Sequence, residues 1–324
     1  MIGGAVVEGV SWQWVFWLNV PIGLAAIPLV LRRIDESFGA EEDLDVRGVA
    51  LVTAGALGLV WGLERGNAAG WFGAEVLASL GGGAALTAAF VAWELRASSP
   101  MLPMRFFRSR AFSAGNAATF FMFASLFGAV FFVAQFLQTA LGYGALATGL
   151  RVLPWTAPLM VVPPIAGALA DRVGARPLVV GGLTLQAVAM GWIALVAEPD
   201  LAYAGLVPPL FLAGCGIATA IPAAQNCVVG AVPVGALGKA AATTSTMRQL
   251  GSAFGIATQA AVFAASGGFA SAAAFTDGFA PAVAVAGGLS LAGAVAGLAS
   301  PGRRKAAGTA PTHPVPAPET EGGR

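Results

Sequence analysis

Charge is scarce in this chain. Lys, Arg, Asp and Glu make up 10% of its 324 residues, against about 25% in soluble domains. A soluble fold of this size needs a far more polar surface. Histidine occurs once, as His313 in the tail, and no His, Cys or carboxylate cluster has metal-ligand spacing, so a bound metal is not expected. No G-x-x-x-x-G-K-[ST] run occurs, which excludes a P-loop in these residues. The two cysteines, Cys215 and Cys227, share one apolar stretch. On one helix they lie too far apart along the axis to pair, and they read as buried thiols. The net charge of +1 gives no basic field for nucleic acid. The lack of His, of paired intramembrane carboxylates and of a metal cluster also argues against a membrane enzyme.

Apolar and small residues are abundant. Hydrophobic residues make up 57% and glycine 44 positions, with a mean hydropathy of +0.78. Glycine is more frequent in membrane helices than in soluble ones. These values predict an all-α integral membrane protein whose first partner is the lipid bilayer. A span needs about 20 mainly apolar residues. Nine segments qualify: Trp14–Leu31, Gly48–Leu63, Glu75–Trp93, Ala111–Leu137, Leu146–Leu169, Pro177–Val196, Tyr203–Val229, Ser245–Ala265 and Phe279–Ala299. Gly3–Glu8 reads as the last turns of a tenth.

Lys and Arg orient the spans. Of the 17 basic residues, 15 fall on one side: Arg32, Arg33 and Arg47; Arg96 to Arg110; Arg172 and Arg176; Lys239 and Arg248; and the tail. Arg65 and Arg151 fall on or near the other. The crowded side, with the C-terminus, is expected to be cytoplasmic, in a plasma (inner) membrane. The opening residues lack the positive n-region and A-x-A site of a signal peptide. The acidic and basic connection from Arg32 to Arg47 reads as a solvated loop. The tail from Ser300, rich in Pro, Ala and Gly, lacks apolar content to bury and is expected to be disordered.

Three stretches carry a family signature. GALADRVGARP, Gly167 to Pro177, resembles the G-x-L-a-D-R-x-G-r-R loop of the major facilitator superfamily. Glycines there permit close helix approach and a tight turn, and a carboxylate can pair with an arginine or cap a helix. GG followed by WQWVFWLNVPIG resembles the join of the fifth and sixth helices in the fourteen-helix drug:proton antiporter branch, the EmrB/QacA type. Gly3, Gly4, Asn19 and Pro21 match, while Gln13 stands where that branch usually has arginine. VPVGALGKAAATTSTMRQLGSAFGIA, Val232 to Ala257, is similar to the stretch leading into the penultimate helix of the same branch. Arg248, Gln249, Gly251 and Gly255 match, and Gly251 and Gly255 also form a G-x-x-x-G packing face.

The resemblance implies the sixth to fourteenth helices plus the last turns of the fifth, with most of the N-terminal bundle absent. On that reading residues 1–31 end the N-terminal bundle and 32–96 hold a cytoplasmic loop and a linker helix pair. Residues 97–299 form the C-terminal six-helix bundle, and 300–324 the tail. The implied function is proton-coupled efflux of small hydrophobic drugs or antibiotics, with no cofactor beyond the proton gradient. Gly167, Asp171, Arg172, Gly174 and Arg176 are the implied gating loop. Three alternatives stand beside it: a fragment without transport, a half-transporter that needs a separate N-terminal half, and a metabolite transporter of the same superfamily.

Ionisable groups inside the membrane usually mark function, and the spans hold few. Glu64, Glu75, Glu94, Glu198, Asp200 and Asp277 fall at segment ends or in loops. No residue is a good candidate for proton coupling, so the coupling carboxylates are expected in the absent bundle. The candidate cavity-lining residues are Gln135 and Gln138 (three apart, hence on one helix face), Arg151, Gln225, Asn226 and Gln259. Each amide could equally bond a neighbouring helix, as could Gln186. The aromatic run from Phe120 to Phe132 suits apolar cargo or packing. Pro154, Pro158, Pro163 and Pro164 predict a bent fifth segment.

Overall fold

The computed structural model describes Val6, Gly9 and residues 11–33, 45–97 and 100–300. Gly3 and Gly4 lie outside the described residues, as do most of the Arg32–Arg47 connection and the tail beyond Ser300.

From Trp14 on, the described residues form twelve α-helices: α1 (Trp14–Trp17), α2 (Asn19–Arg33), α3 (Val46–Ala69), α4 (Ala74–Glu94), α5 (Arg110–Gln135), α6 (Ala145–Arg151), α7 (Leu153–Thr156), α8 (Pro158–Val173), α9 (Ala175–Val196), α10 (Val207–Val229), α11 (Leu237–Ser266) and α12 (Ala272–Leu298). Among the described residues there is no strand. Eight helical spans among the described residues are long and apolar enough to cross a membrane. The ninth expected span is present as α11, but it carries too many polar side chains to count with them. Its helix begins eight residues before the expected Ser245, and Lys239, Thr243 and Thr244 hide that part from a search for apolar runs.

Prolines mark the fifth expected segment, which from Leu153 to Ala170 runs as one helical span long enough to cross a membrane. Pro154 and Pro158 lie in the first turns of α7 and α8, and the residues between the pieces, Val152 and Ala157, keep helical backbone angles. Proline has no N–H to bond the preceding turn, which is why it starts helices and interrupts them. Pro163 and Pro164 lie inside α8. The fourth segment ends in a π-helical turn, Phe136–Ala140. Gln135 precedes this turn and Gln138 lies within it.

Helix α5 is central, packing on α10, α11 and α12, while α9 packs on α10 and α12 and α8 on α10. Lipid tails are as apolar as leucine, so close backbone approach and hydrogen bonds hold such helices together. Gly182 of α9 and Gly216 of α10 meet this way: a Cβ on either would lie 2.5 Å from the other's carbonyl oxygen. A second contact joins α11 to α5. A Cβ at Gly251 or Gly255 would run into the main chain of Phe120 or Ala124.

The bundle interior is layered. At one end Phe132, Phe136, Trp155, Met190, Phe275 and Phe279 pack together, with Phe136 stacked on Phe279 at 4.4 Å. Met122, Leu183, Ile217 and Ala220 fill the middle. Phe106, Phe112, Val228 and Ala240 close the arginine-rich end. Between the layers Ser125 accepts from Gln186 Nε2 at 3.0 Å and from the Ser290 hydroxyl at 3.1 Å, all three fully buried. This triad ties α5, α9 and α12.

The hairpin α3–α4 packs against α11. Asp45 caps α3 by accepting from Gly48 N at 2.9 Å, and its carboxylate also accepts from Trp93 Nε1 at 2.9 Å. Helix α3 runs six residues past the expected Leu63. Arg65 near its end pairs with Glu75 of α4 at 3.3 Å and lies over the Trp61 ring. By contrast α2 is exposed along its whole length.

Candidate functional site

A recess of about 290 Å³ opens where α5, α10 and α11 meet. Its apolar wall is Met122 and Phe123 of α5, Ile221 and Val229 of α10, and Ala241 of α11. Its polar groups are the Thr119, Thr244 and Ser245 hydroxyls, the Gln225 amide and the Arg248 guanidinium. No Asp or Glu is among these residues. The polar character of α11, which keeps it out of the apolar spans, therefore has a local reason. Polar side chains within a membrane helix are tolerated where they face a cavity or the bundle interior.

Local bonds fix the wall. Thr119 donates to the carbonyl of Gly115 at 2.8 Å. Thr244 donates to Ala240 O at 3.0 Å and lies 3.3 Å from Asn116 Oδ1. These one-turn bonds hold each hydroxyl on its own helix and leave its lone pairs for the recess. The Arg248 guanidinium lies 5.7 Å from the centre of the Phe123 ring, a cation–π distance.

The candidates drawn from sequence fall in different places. Gln225 lines the recess, while Asn226 beside it is exposed and does not. Gln259 is fully buried and donates to Ala124 O at 3.2 Å across the α5–α11 contact. Gln135 is half-buried and Gln138 exposed at the far end of α5. Arg151 ends α6, with its guanidinium 3.7 Å from the centre of the Tyr143 ring and 5.3 Å from that of Tyr203. Tyr203 in turn donates to Arg151 O at 3.0 Å. These two tyrosines are the only ones in the sequence, and both hold one arginine in place. Asn19 opens α2 and donates to Val15 O at 2.9 Å; Pro21 lies in the first turn after it. Gln249 is exposed on α11.

The Gly167–Arg176 stretch forms the end of α8, a one-residue turn and the start of α9. Gly174 is the turn, at φ +86°, and donates its N–H to Ala170 O at 2.9 Å. With ψ at +164°, this backbone conformation is open almost only to glycine. Gly167 differs: a Cβ there would meet nothing within 4 Å, so close packing among the described residues does not require glycine. Arg172 and Arg176 are exposed. The side chain of Asp171 lies outside the described residues.

Sequence reasoning missed Glu94. It ends α4 and reads as a loop-edge charge, yet it is 3% exposed and accepts from Leu102 N at 3.0 Å through Oε2. Nothing in the local sequence marks it, because its burial comes from the chain folding back over the hairpin.

Comparison with known proteins fits this geometry. The family model described as Major Facilitator Superfamily matches residues 1–256. The chain belongs to the major facilitator superfamily. It is 33% identical over 260 residues to the tetracenomycin C resistance and export protein of Streptomyces glaucescens, covering 79% of this chain and 48% of that protein. It is 34% identical over 265 residues to the cephamycin export protein CmcT of Amycolatopsis lactamdurans, covering 79% and 54%. Multidrug export protein EmrB of Escherichia coli K12 is 28% identical over 258 residues, covering 79% and 50%. The chain spans about half the length of the curated relatives it matches. It is a multi-pass membrane protein similar to exporters of the drug:proton antiporter branch.

Proposed function

We propose that this chain supplies the recess-bearing bundle of a plasma-membrane exporter for small, largely apolar compounds. The observation that carries the reading is the recess between α5, α10 and α11: an apolar wall with a few polar groups, the usual makeup of a small-molecule site. In secondary transporters such sites lie near the midplane, between two bundles that rock about them. Export rather than import is supported by the relatives' names. A second bundle would complete the site, on the same polypeptide or on a separate one. The proton gradient drives the cycle, and the coupling carboxylate stands outside the recess, whose lining holds none. The arginine-rich end faces the cytoplasm. No chemistry is performed on the cargo.

Two measurements test this. The first is intact mass, with a tag placed after Arg324 at the chromosomal locus. It shows whether the working polypeptide is 32.4 kDa plus the tag or longer. The second is accumulation of a fluorescent hydrophobic drug in cells that express that polypeptide, with and without a protonophore. Lower accumulation that a protonophore abolishes is the expected result. Accumulation equal to that of cells without the protein overturns the reading.

A further inference from the structure

Glu94 is a buried carboxylate at the open end of the α3–α4 hairpin. Among the described side chains it is the one acid in the interior, at 3% exposed. Its two oxygens are served unequally. Oε2 accepts from Leu102 N at 3.0 Å. Oε1 is buried and has no hydrogen-bond partner. Burying an ionised oxygen in that setting is unfavourable. As a carboxylic acid the group is neutral, and one of its oxygens becomes a donor.

Oε1 lies beside a second carboxylate. A Cβ built on Gly48 would lie 2.5 Å from Asp45 Oδ2 and 3.1 Å from Glu94 Oε1. The two oxygens are therefore within about 6 Å of each other, where like charges oppose each other's ionisation. Asp45 is the better anion of the two. It accepts from Gly48 N and from Trp93 Nε1, each at 2.9 Å, and it caps α3, whose N-terminus favours negative charge. The cations nearby have other contacts. Arg47 of α3 lies 5.2 Å from the centre of the Trp93 ring, and Arg96, just past α4, donates to Ala92 O at 3.4 Å. Lys239 of α11 favours the ionised acid, but it donates to Pro100 O at 3.0 Å and forms no ion pair with Glu94.

We infer that Glu94 is a proton-binding site: at neutral pH the Glu94–Asp45 pair holds one proton, carried on Glu94, and its release opens the hairpin where α3 begins and α4 ends. Without the proton two negative charges stand close together, one of them buried. The bond that closes this end, from Trp93 to Asp45, is the contact that gives way when the two acids part. The site is distinct from the recess and independent of the transport reading.

The test is infrared spectroscopy of the full chain in phosphatidylcholine nanodiscs. A protonated carboxyl group has a C=O stretch that ionised carboxylates lack. One such band is expected at neutral pH, shifted when glutamate carries an isotope label in its side-chain carboxyl and lost in Glu94→Gln. In Asp45→Asn the band should disappear at a pH lower by about 1 unit or more, because the like charge is gone. Hydrogen exchange at Trp93 Nε1, taken relative to Glu94→Gln at the same pH, should rise as the band is lost. If Glu94→Gln does not give a monodisperse protein, the label shift in the unmodified chain decides, since Glu94 is the one buried glutamate among the described side chains. No band at neutral pH overturns the proton site and means that Glu94 is ionised, with a cation or water at Oε1. A band that answers to labelled aspartate, or that persists in Glu94→Gln, overturns the assignment to Glu94. Exchange at Trp93 that matches Glu94→Gln at every pH overturns the opening of the hairpin. Drug accumulation tests the transport reading separately.

Discussion

The Gln259 amide fills the space that a side chain at Gly128 would occupy. Helix α11 thereby sends a polar group into the backbone of α5, where Nε2 donates to Ala124 O at 3.2 Å. The pair is a lock between two helices that also wall the recess. Gly128→Ala is expected to destabilise the protein despite alanine's better helix propensity. Overpacking of this kind costs about 1–3 kcal/mol. Gln259→Ala loses the bond but opens the space, so the double variant should be more stable than the sum of the singles implies. Melting midpoints of the detergent-solubilised variants measure the coupling; simple additivity would show that the two positions do not interact.

The G-x-x-x-G face on α11 gives a sharper outcome. A Cβ at Gly255 meets main chain at Ala124, and backbone cannot swing aside as a side chain does. Gly255→Leu is expected to separate α11 from α5 and give a polydisperse protein by size-exclusion chromatography. Gly167→Ala, where a Cβ meets nothing within 4 Å, should stay monodisperse. Equal behaviour of the two would remove the packing role of Gly255.

The helices themselves were legible in the sequence, because hydropathy alone fixes where a backbone must satisfy its own hydrogen bonds in lipid. What was not legible follows from contacts made across the bundle. Composition cannot tell that Gln259 is buried against Gly128 while Gln225, with the same amide, opens on the recess. Nor can it show that the Arg248 guanidinium lies over the Phe123 ring. The ends of α3 and α11 were misplaced because charged or hydroxyl residues continue a helix when a neighbour pairs with them, as Glu75 does with Arg65. The turn at Gly174 was readable, since a glycine between two apolar runs marks a helix end.

That turn carries its own prediction. Gly174 has φ +86° and ψ +164°, where an L-residue with a Cβ is strained by about 1–3 kcal/mol. Gly174→Ala should lower the melting midpoint by an amount in that range, and Gly174→Asn by a similar amount, because ψ of +164° lies outside the left-handed helical region that asparagine tolerates. If transport falls in Gly174→Ala far more than stability does, the turn also serves the gating stretch. Equal stability of all three proteins would mean that the turn relaxes without cost.

Asp45 makes the last case, because one carboxylate there does two jobs. It caps α3 through Gly48 N and holds Trp93 on α4. Loss of a cap costs about 0.5–2 kcal/mol. Asp45→Asn keeps an acceptor for the cap but weakens the charge-assisted bond to the indole, whereas Asp45→Ala removes both. Hydrogen exchange of the first turn of α3 should therefore be fast in Asp45→Ala and near normal in Asp45→Asn. Exchange at Trp93 Nε1 should rise in both. An indole as protected in Asp45→Ala as in the unmodified protein would show that the hairpin is held without Asp45, and that the packing of α3 on α11 suffices to dock it.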